Sequence, residues 1–193
     1  MNIEAGASAK PSRGVPSGEV LPGNPMMWLL IASELLEFGL GLVSYAGART
    51  FDHAGFLAGQ NELDRFAGTV NTAVLLTSGL FAALAVEAKE HGRRGLARGM
   101  LGLAALLGVV FLAVKFQEYA TEIANGHGLD EGGFFTFYFL ITGFHAAHVV
   151  FGIVILGIVA WLDETEHIET GVAFWHMVDL VWVVVFPCIY LLR

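Results

Sequence analysis

Five stretches of this chain, about residues 26–48, 67–86, 96–117, 134–162 and 172–192, are apolar runs on the scale of a lipid bilayer. A hydrocarbon core about 30 Å thick takes roughly 20 helical residues to cross. Membrane strands would alternate apolar and polar over about ten residues, and these runs do not alternate. The sequence therefore predicts an all-α fold, an integral membrane bundle of five transmembrane helices. Composition agrees: 55% of the 193 residues are hydrophobic and 15% are charged, against about 25% charged in an ordinary soluble domain. Mean hydropathy is +0.65. A net charge of −8 argues against nucleic acid as a partner, and a single cysteine, Cys188, excludes an internal disulfide framework or a Cys-rich metal cluster.

Residues 1–25 differ in kind. Gly, Ala, Ser and Pro dominate them (Pro11, Pro16, Pro22, Pro25), without the basic start and apolar core of a signal peptide. The reading is a flexible cytoplasmic tail, 1–25, before one transmembrane domain, 26–193. The connections carry Lys10, Arg13, Lys89, Arg93, Arg94 and Arg98 on one side and Arg49, Arg65 and Arg193 on the other. Positive charge collects inside, so the N-terminus is expected in the cytoplasm and the C-terminus outside. No internal repeat is visible, which weakens a secondary-transporter reading.

Charge at membrane depth costs from about 2.5 kcal/mol upward and asks for a partner or a purpose. Glu34 and Glu37 lie one turn apart in the first run. Lys115 comes late in the third, followed by Glu118; His145 and His148 sit mid-fourth at i, i+3; His176 and Asp179 repeat that spacing in the fifth. Depth bookkeeping puts Glu34, His148, His176 and Asp179 near enough to meet in one buried polar cluster between spans one, four and five. Such a cluster either holds the bundle in register or contacts a lipid headgroup, a proton or a partner. His145 and His148 on one face also suit a metal or haem, but no Cys-His framework accompanies them and no metal site is assigned. Lys115 is expected to snorkel to the interface or to pair with Glu118. Trp28, Tyr119, Trp161 and Tyr190 read as interfacial anchors, and Gly143 with Ala147 as a close helix-packing surface. Neither a phosphate-binding glycine loop nor a nucleophile constellation is present, and no catalytic residue is assigned.

Four segments resemble subunit III of the haem-copper respiratory oxidases. Ser33-Glu34 is similar to that family's Ser-Glu pair in a helix, and Glu118-Tyr119 to its Glu-Tyr pair. Thr142-Gly143-Phe144-His145-Ala146-Ala147-His148-Val149 resembles its T-G-x-H-G-x-H-V signature. Trp175-His176-Met177-Val178-Asp179-Leu180-Val181-Trp182 resembles W-H-F-V-D-x-V-W, with Ile189-Tyr190 following. Ala146 stands where the signature has glycine and Met177 where it has phenylalanine. Glu37 falls where an aromatic or aliphatic residue is commoner. Family members often have seven spans; this chain matches the last five, as a five-span bacterial form does.

The resemblance implies a non-catalytic accessory subunit of the bacterial inner membrane. It would bind no redox cofactor directly, sit beside a catalytic subunit I within an enzyme whose haem and copper lie in partner subunits, and hold structural phospholipids in a cleft. It would support proton uptake and protect the catalytic centre during turnover. By the same implication Glu34, His145, His148, His176 and Asp179 form the lipid- and proton-related polar group, with Glu37, Lys115, Glu118, Trp175 and Trp182 as secondary candidates. Two alternatives stay open within or beside that family: an accessory protein of bacterial nitric oxide reductase, and a small membrane haem or metal electron carrier. A proton-coupled transporter built on Glu34, Glu37, Lys115 and Asp179 is a third.

Overall fold

The structure, a computed structural model, describes residues 25–129 and 133–192. The expected tail thus lies, but for Pro25, outside the described residues. Among the described residues there are helices and no strands: α1 (Pro25–Phe51), α2 (His53–Glu62), α3 (Arg65–Glu90), α4 (Arg94–Ala124), α5 (Gly133–Leu162) and α6 (Thr165–Phe186), closed by a π-helical turn, Pro187–Leu191. Five of them are long and apolar enough to cross a membrane. Their bounds exceed the apolar runs, because each helix continues past its hydrocarbon stretch into polar turns. α4 reaches Ala124 and α6 starts at Thr165.

Local chemistry sets the breaks. Asp52 caps α2 by accepting from the Gly55 amide, and Asp64 caps α3 by accepting from Phe66 and Ala67. α2 is a helix the apolar pattern does not reveal, since its ten residues carry too weak a stripe. α3 and α4 both end on a left-handed glycine, Gly92 (φ +72°) and Gly126 (φ +97°). At each end the glycine amide and the one after it bond back to carbonyls of the last turn. Between α5 and α6 only Asp163 and Glu164 intervene. Asp163 takes a left-handed φ of 58°, and Lys89 bonds both its backbone carbonyl and, at 2.7 Å, its carboxylate. Arg98 and Arg94 stand 3.6 and 3.8 Å from the same carboxylate.

α6 is the central and most buried helix, and α1 the most peripheral, with Phe38 and Tyr45 its buried residues. Leucines and valines point outward on α1, α3, α4 and α5, where lipid rather than water is their solvent. The Trp175 indole lies in a slot between Gly108 of α4 and Gly152 of α5, where an added Cβ would come within 2.7 Å of the ring. Gly171 likewise meets Val159 and Ile155. Gly143, expected at a helix contact, has open space around it and Ala147 is exposed. That face of α5 turns away from its neighbours because Ala146 and Val149 take the buried side.

Candidate functional site

The interior polar residues fall into separate groups rather than one cluster. On the α1–α5 seam, Glu34 Oε2 lies 2.7 Å from His148 Nε2, without the alignment of a hydrogen bond. His148 Nδ1 is 2.9 Å from the Phe144 carbonyl. A carbonyl only accepts, so Nδ1 carries a proton. A carboxylate set against an imidazole is the kind of pairing that polar groups at membrane depth require.

His145, one turn earlier, is fully buried and points elsewhere. Its Nε2 lies 3.2 Å from the Val178 carbonyl of α6, and its ring packs against Phe111 and Trp182 at 5.6 and 4.8 Å. The two histidines of the α5 signature diverge, one toward α6 and one toward α1. They do not present a joint ligand pair.

The α6 signature docks on α3. Trp175, Asp179 and Trp182 fall at i, i+4 and i+7, a single helical stripe. Trp175 donates to Ser78 Oγ (3.1 Å), which donates to the Ala104 carbonyl (2.7 Å). Trp182 donates to Thr72 Oγ1 at 2.9 Å. Between them the Asp179 carboxylate lies against Gly79, where a Cβ would collide with its Oδ2. His176 Nδ1 stands 3.8 Å from that oxygen. Asp179 thus faces α3 and not α1, a correction to the expected four-residue cluster. Depth along the helix axis places residues at one level but leaves open which neighbour they face.

Lys115 takes the second of its two expected arrangements, pairing with Glu118. It does not snorkel: it is 1% exposed. Its ammonium bonds Glu118 Oε2 (3.2 Å), Tyr138 Oη (3.0 Å) and Tyr190 Oη (2.5 Å). Both phenols donate in turn to Glu118 Oε1, at 2.8 and 2.6 Å. Every ammonium proton has an acceptor, and four aromatic rings lie within 5.6 Å of the charge. The pairing with Glu118 is as expected. Tyr190 is a buried member of this box and not an interfacial anchor, and Tyr119 donates to Thr142 at 2.8 Å. Trp161 is 81% exposed, as an anchor would be.

Sequence reasoning missed Gln60, Asn71, Ser78 and Tyr138. Gln60 Nε2 reaches the Tyr45 hydroxyl and the carbonyls of Ile189 and Leu192, tying α2 to the π-helical turn. Asn71 donates to the Phe111 carbonyl at 3.1 Å. Their signal is plain polarity in or beside an apolar run. Two of the surface grooves border the expected residues. One, about 500 Å³, runs between α1, α3 and α6, with Met27, Val86 and Val172 on its walls and Glu90, Glu169 and His176 among its polar residues. The other, about 260 Å³, lies between α1 and α5 and carries the exposed Glu37 beside Phe38 and Phe144.

Fold and site define a polytopic membrane bundle in which the signature residues Trp175, Trp182 and His145 bond neighbouring helices. The family model for cytochrome c oxidase subunit III matches residues 58–193, and the chain belongs to that family. It is 31% identical over 174 residues to cytochrome c oxidase subunit 3 of Thermostichus vulcanus, covering 85% of this chain and 84% of that one. It is 29% identical over 173 residues to cytochrome bo(3) ubiquinol oxidase subunit 3 of Pseudomonas aeruginosa, covering 86% and 82%. It is also 29% identical over 180 residues to a haem-copper oxidase subunit I+III of Aeropyrum pernix, covering 86% of this chain and 22% of that one.

Proposed function

We propose that this chain is the non-catalytic subunit III of a respiratory haem-copper oxidase in a bacterial inner membrane, bound to a catalytic subunit I. Haem and copper belong to partner subunits. Here the chain supports proton uptake, retains phospholipid and protects the catalytic centre during turnover. One observation carries the reading: Trp175, Trp182 and His145 of the two signatures bond neighbouring helices, which suits a structural role. Three further points support it. The subunit I+III relative carries both subunits in one chain, which favours subunit I as neighbour. The α1–α3–α6 groove has apolar walls with Glu90, Glu169 and His176 among its lining, which suits acyl chains below a polar headgroup. Glu37 is exposed beside an apolar groove, and a carboxylate there needs another chain or a headgroup against it.

The orientation has support as well. Lys89, Arg94 and Arg98 gather around Asp163 at one end of the bundle, and Arg49 and Arg65 lie at the opposite end. The first end is assigned to the cytoplasm. Relatives that serve cytochrome c and ubiquinol oxidases favour an aerobic partner over nitric oxide reductase. The test is mass spectrometry of chains that co-purify with the tagged protein from mildly solubilised native membranes. A large catalytic subunit with its companion oxidase chains is expected. A nitric oxide reductase pair would move the chain to denitrification, and the absence of any large haem subunit would overturn the accessory role.

A further inference from the structure

At the end of the bundle that holds α2, three side chains converge outside the groups described so far. They are Glu62, the last residue of α2; Glu122, in the last turn of α4; and His127, in the turn beyond it. One imidazole nitrogen and one oxygen from each carboxylate all lie within 4.8 Å of one another, and His127 Nε2 is 2.5 Å from Glu62 Oε2. Glu122 is 4% exposed. Its Oε2 is buried and has no hydrogen-bond partner among the described residues. A buried carboxylate oxygen left that way is an uncompensated acceptor.

The backbone builds this convergence. Gly126 (φ +97°) reverses the chain, the His127 amide bonds the Glu122 carbonyl at 3.0 Å, and the Gly126 amide bonds that of Ile123 at 3.1 Å. This helix-ending motif folds His127 back over Glu122. Stacking on Phe135, with centroids 3.9 Å apart and planes 5° from parallel, fixes the imidazole. Glu62 meanwhile stands at the C-terminal, negative end of α2, where a carboxylate is disfavoured and a cation is welcome.

We propose that Glu62, Glu122 and His127 form a Zn²⁺-class divalent metal site that ties α2 to the end of α4. One imidazole nitrogen with two carboxylate oxygens suits Zn²⁺, whereas Mg²⁺ and Ca²⁺ take all-oxygen shells. Ligand atoms about 2.1 Å from a tetrahedral Zn²⁺ lie roughly 3.4 Å apart. Glu62, whose side chain is 49% exposed, has room to rotate toward that spacing. An adjoining cavity of about 300 Å³, lined by Glu62, Asp64, Glu118 and Glu122, leaves room for water in the open position. Its carboxylates concentrate cations at the entrance.

The competing occupant is a proton, with His127 an imidazolium paired to Glu62 and nothing at Glu122. The full chain in mild detergent, stripped by chelator, is titrated with Zn²⁺ alone and read by equilibrium dialysis and zinc-edge X-ray absorption. One Zn²⁺ per chain is expected, held against excess Mg²⁺, with nitrogen and oxygen ligands at about 2.0–2.1 Å. Glu122→Gln and His127→Gln should each weaken binding at least about tenfold, since even an outer-shell partner is worth about 10–100-fold, and His91→Gln at the other end of the bundle should not. Should a variant fail to fold, the wild-type absorption shell and a Zn²⁺-dependent rise in its unfolding temperature decide. No retained zinc, an all-oxygen shell, tighter binding of Ca²⁺, or equal zinc in wild type and both site variants would each overturn the site.

Discussion

Lys115 shows what a charge inside this bundle requires. Its ammonium, the Glu118 carboxylate and the Tyr138 and Tyr190 phenols form a closed ring in which each donor has an acceptor. Removing one member of a buried pair strands the other, at about 3–5 kcal/mol. Lys115→Met is therefore expected to lower the unfolding temperature in detergent sharply. The double variant Lys115→Met/Glu118→Gln should recover much of the loss, and a double variant no more stable than Lys115→Met would contradict the pairing. Glu34→Ala belongs to the same scale. With its carboxylate gone, His148 loses its partner across the α1–α5 seam and the seam loosens. The whole enzyme should then lose activity faster during turnover with little change in initial rate. Unchanged inactivation and unchanged lipid content would count against a protective role.

At the scale of elements, helices meet where glycine allows. Trp175 of α6 fills a slot that Gly108 and Gly152 leave open. Gly152→Ala or Gly108→Ala must push a large ring whose indole N–H is tied to Ser78, and overpacking of that kind costs about 1–3 kcal/mol. Gly143→Ala meets no neighbour within 4 Å and is expected to be neutral, or to stabilise by up to about 1 kcal/mol through helix propensity. Thermal unfolding of the three variants ranks them. An equal cost at Gly143 and Gly152 would mean that the α5 faces are assigned the wrong way round. The sequence legibly marked α5 as a span and Gly143 as small, but a lone small residue does not say which side of its helix has a neighbour.

For the whole molecule, the Asp163 link joins α5 to α6 and, through Lys89, Arg98 and Arg94, to the α3–α4 end. The Lys89 hydrogen bond, aided by the two arginines, holds the Asp163 carboxyl below its ordinary value of 3.8. A carboxylate depressed in the folded state stabilises fully above its unfolded value, and that stability is lost as pH falls through the folded one. Stability measured from pH 6 downward should thus decline in the acid range with a contribution that Asp163→Asn abolishes. Asparagine also tolerates the left-handed backbone at this position, so the substitution reports on charge alone. An unchanged acid profile in the variant would show that the link does not depend on its carboxylate.

What the sequence determined by itself was one-dimensional. Apolar runs longer than a bilayer set the number of spans, because unpaired backbone in hydrocarbon forces helices. The spacing His145-x-x-His148 and the Trp175 to Trp182 signature set the family. Depth along each axis was also legible, since every residue advances a helix by about 1.5 Å. Azimuth was not. Which helix stands across from Asp179, that His145 and His148 diverge, that Tyr190 turns inward to Lys115, and that Glu62 meets Glu122 and His127 all depend on rotation and on neighbours brought together by helix packing. Residues up to 143 positions apart, such as Arg49 and Leu192, become partners only when tertiary structure closes the bundle.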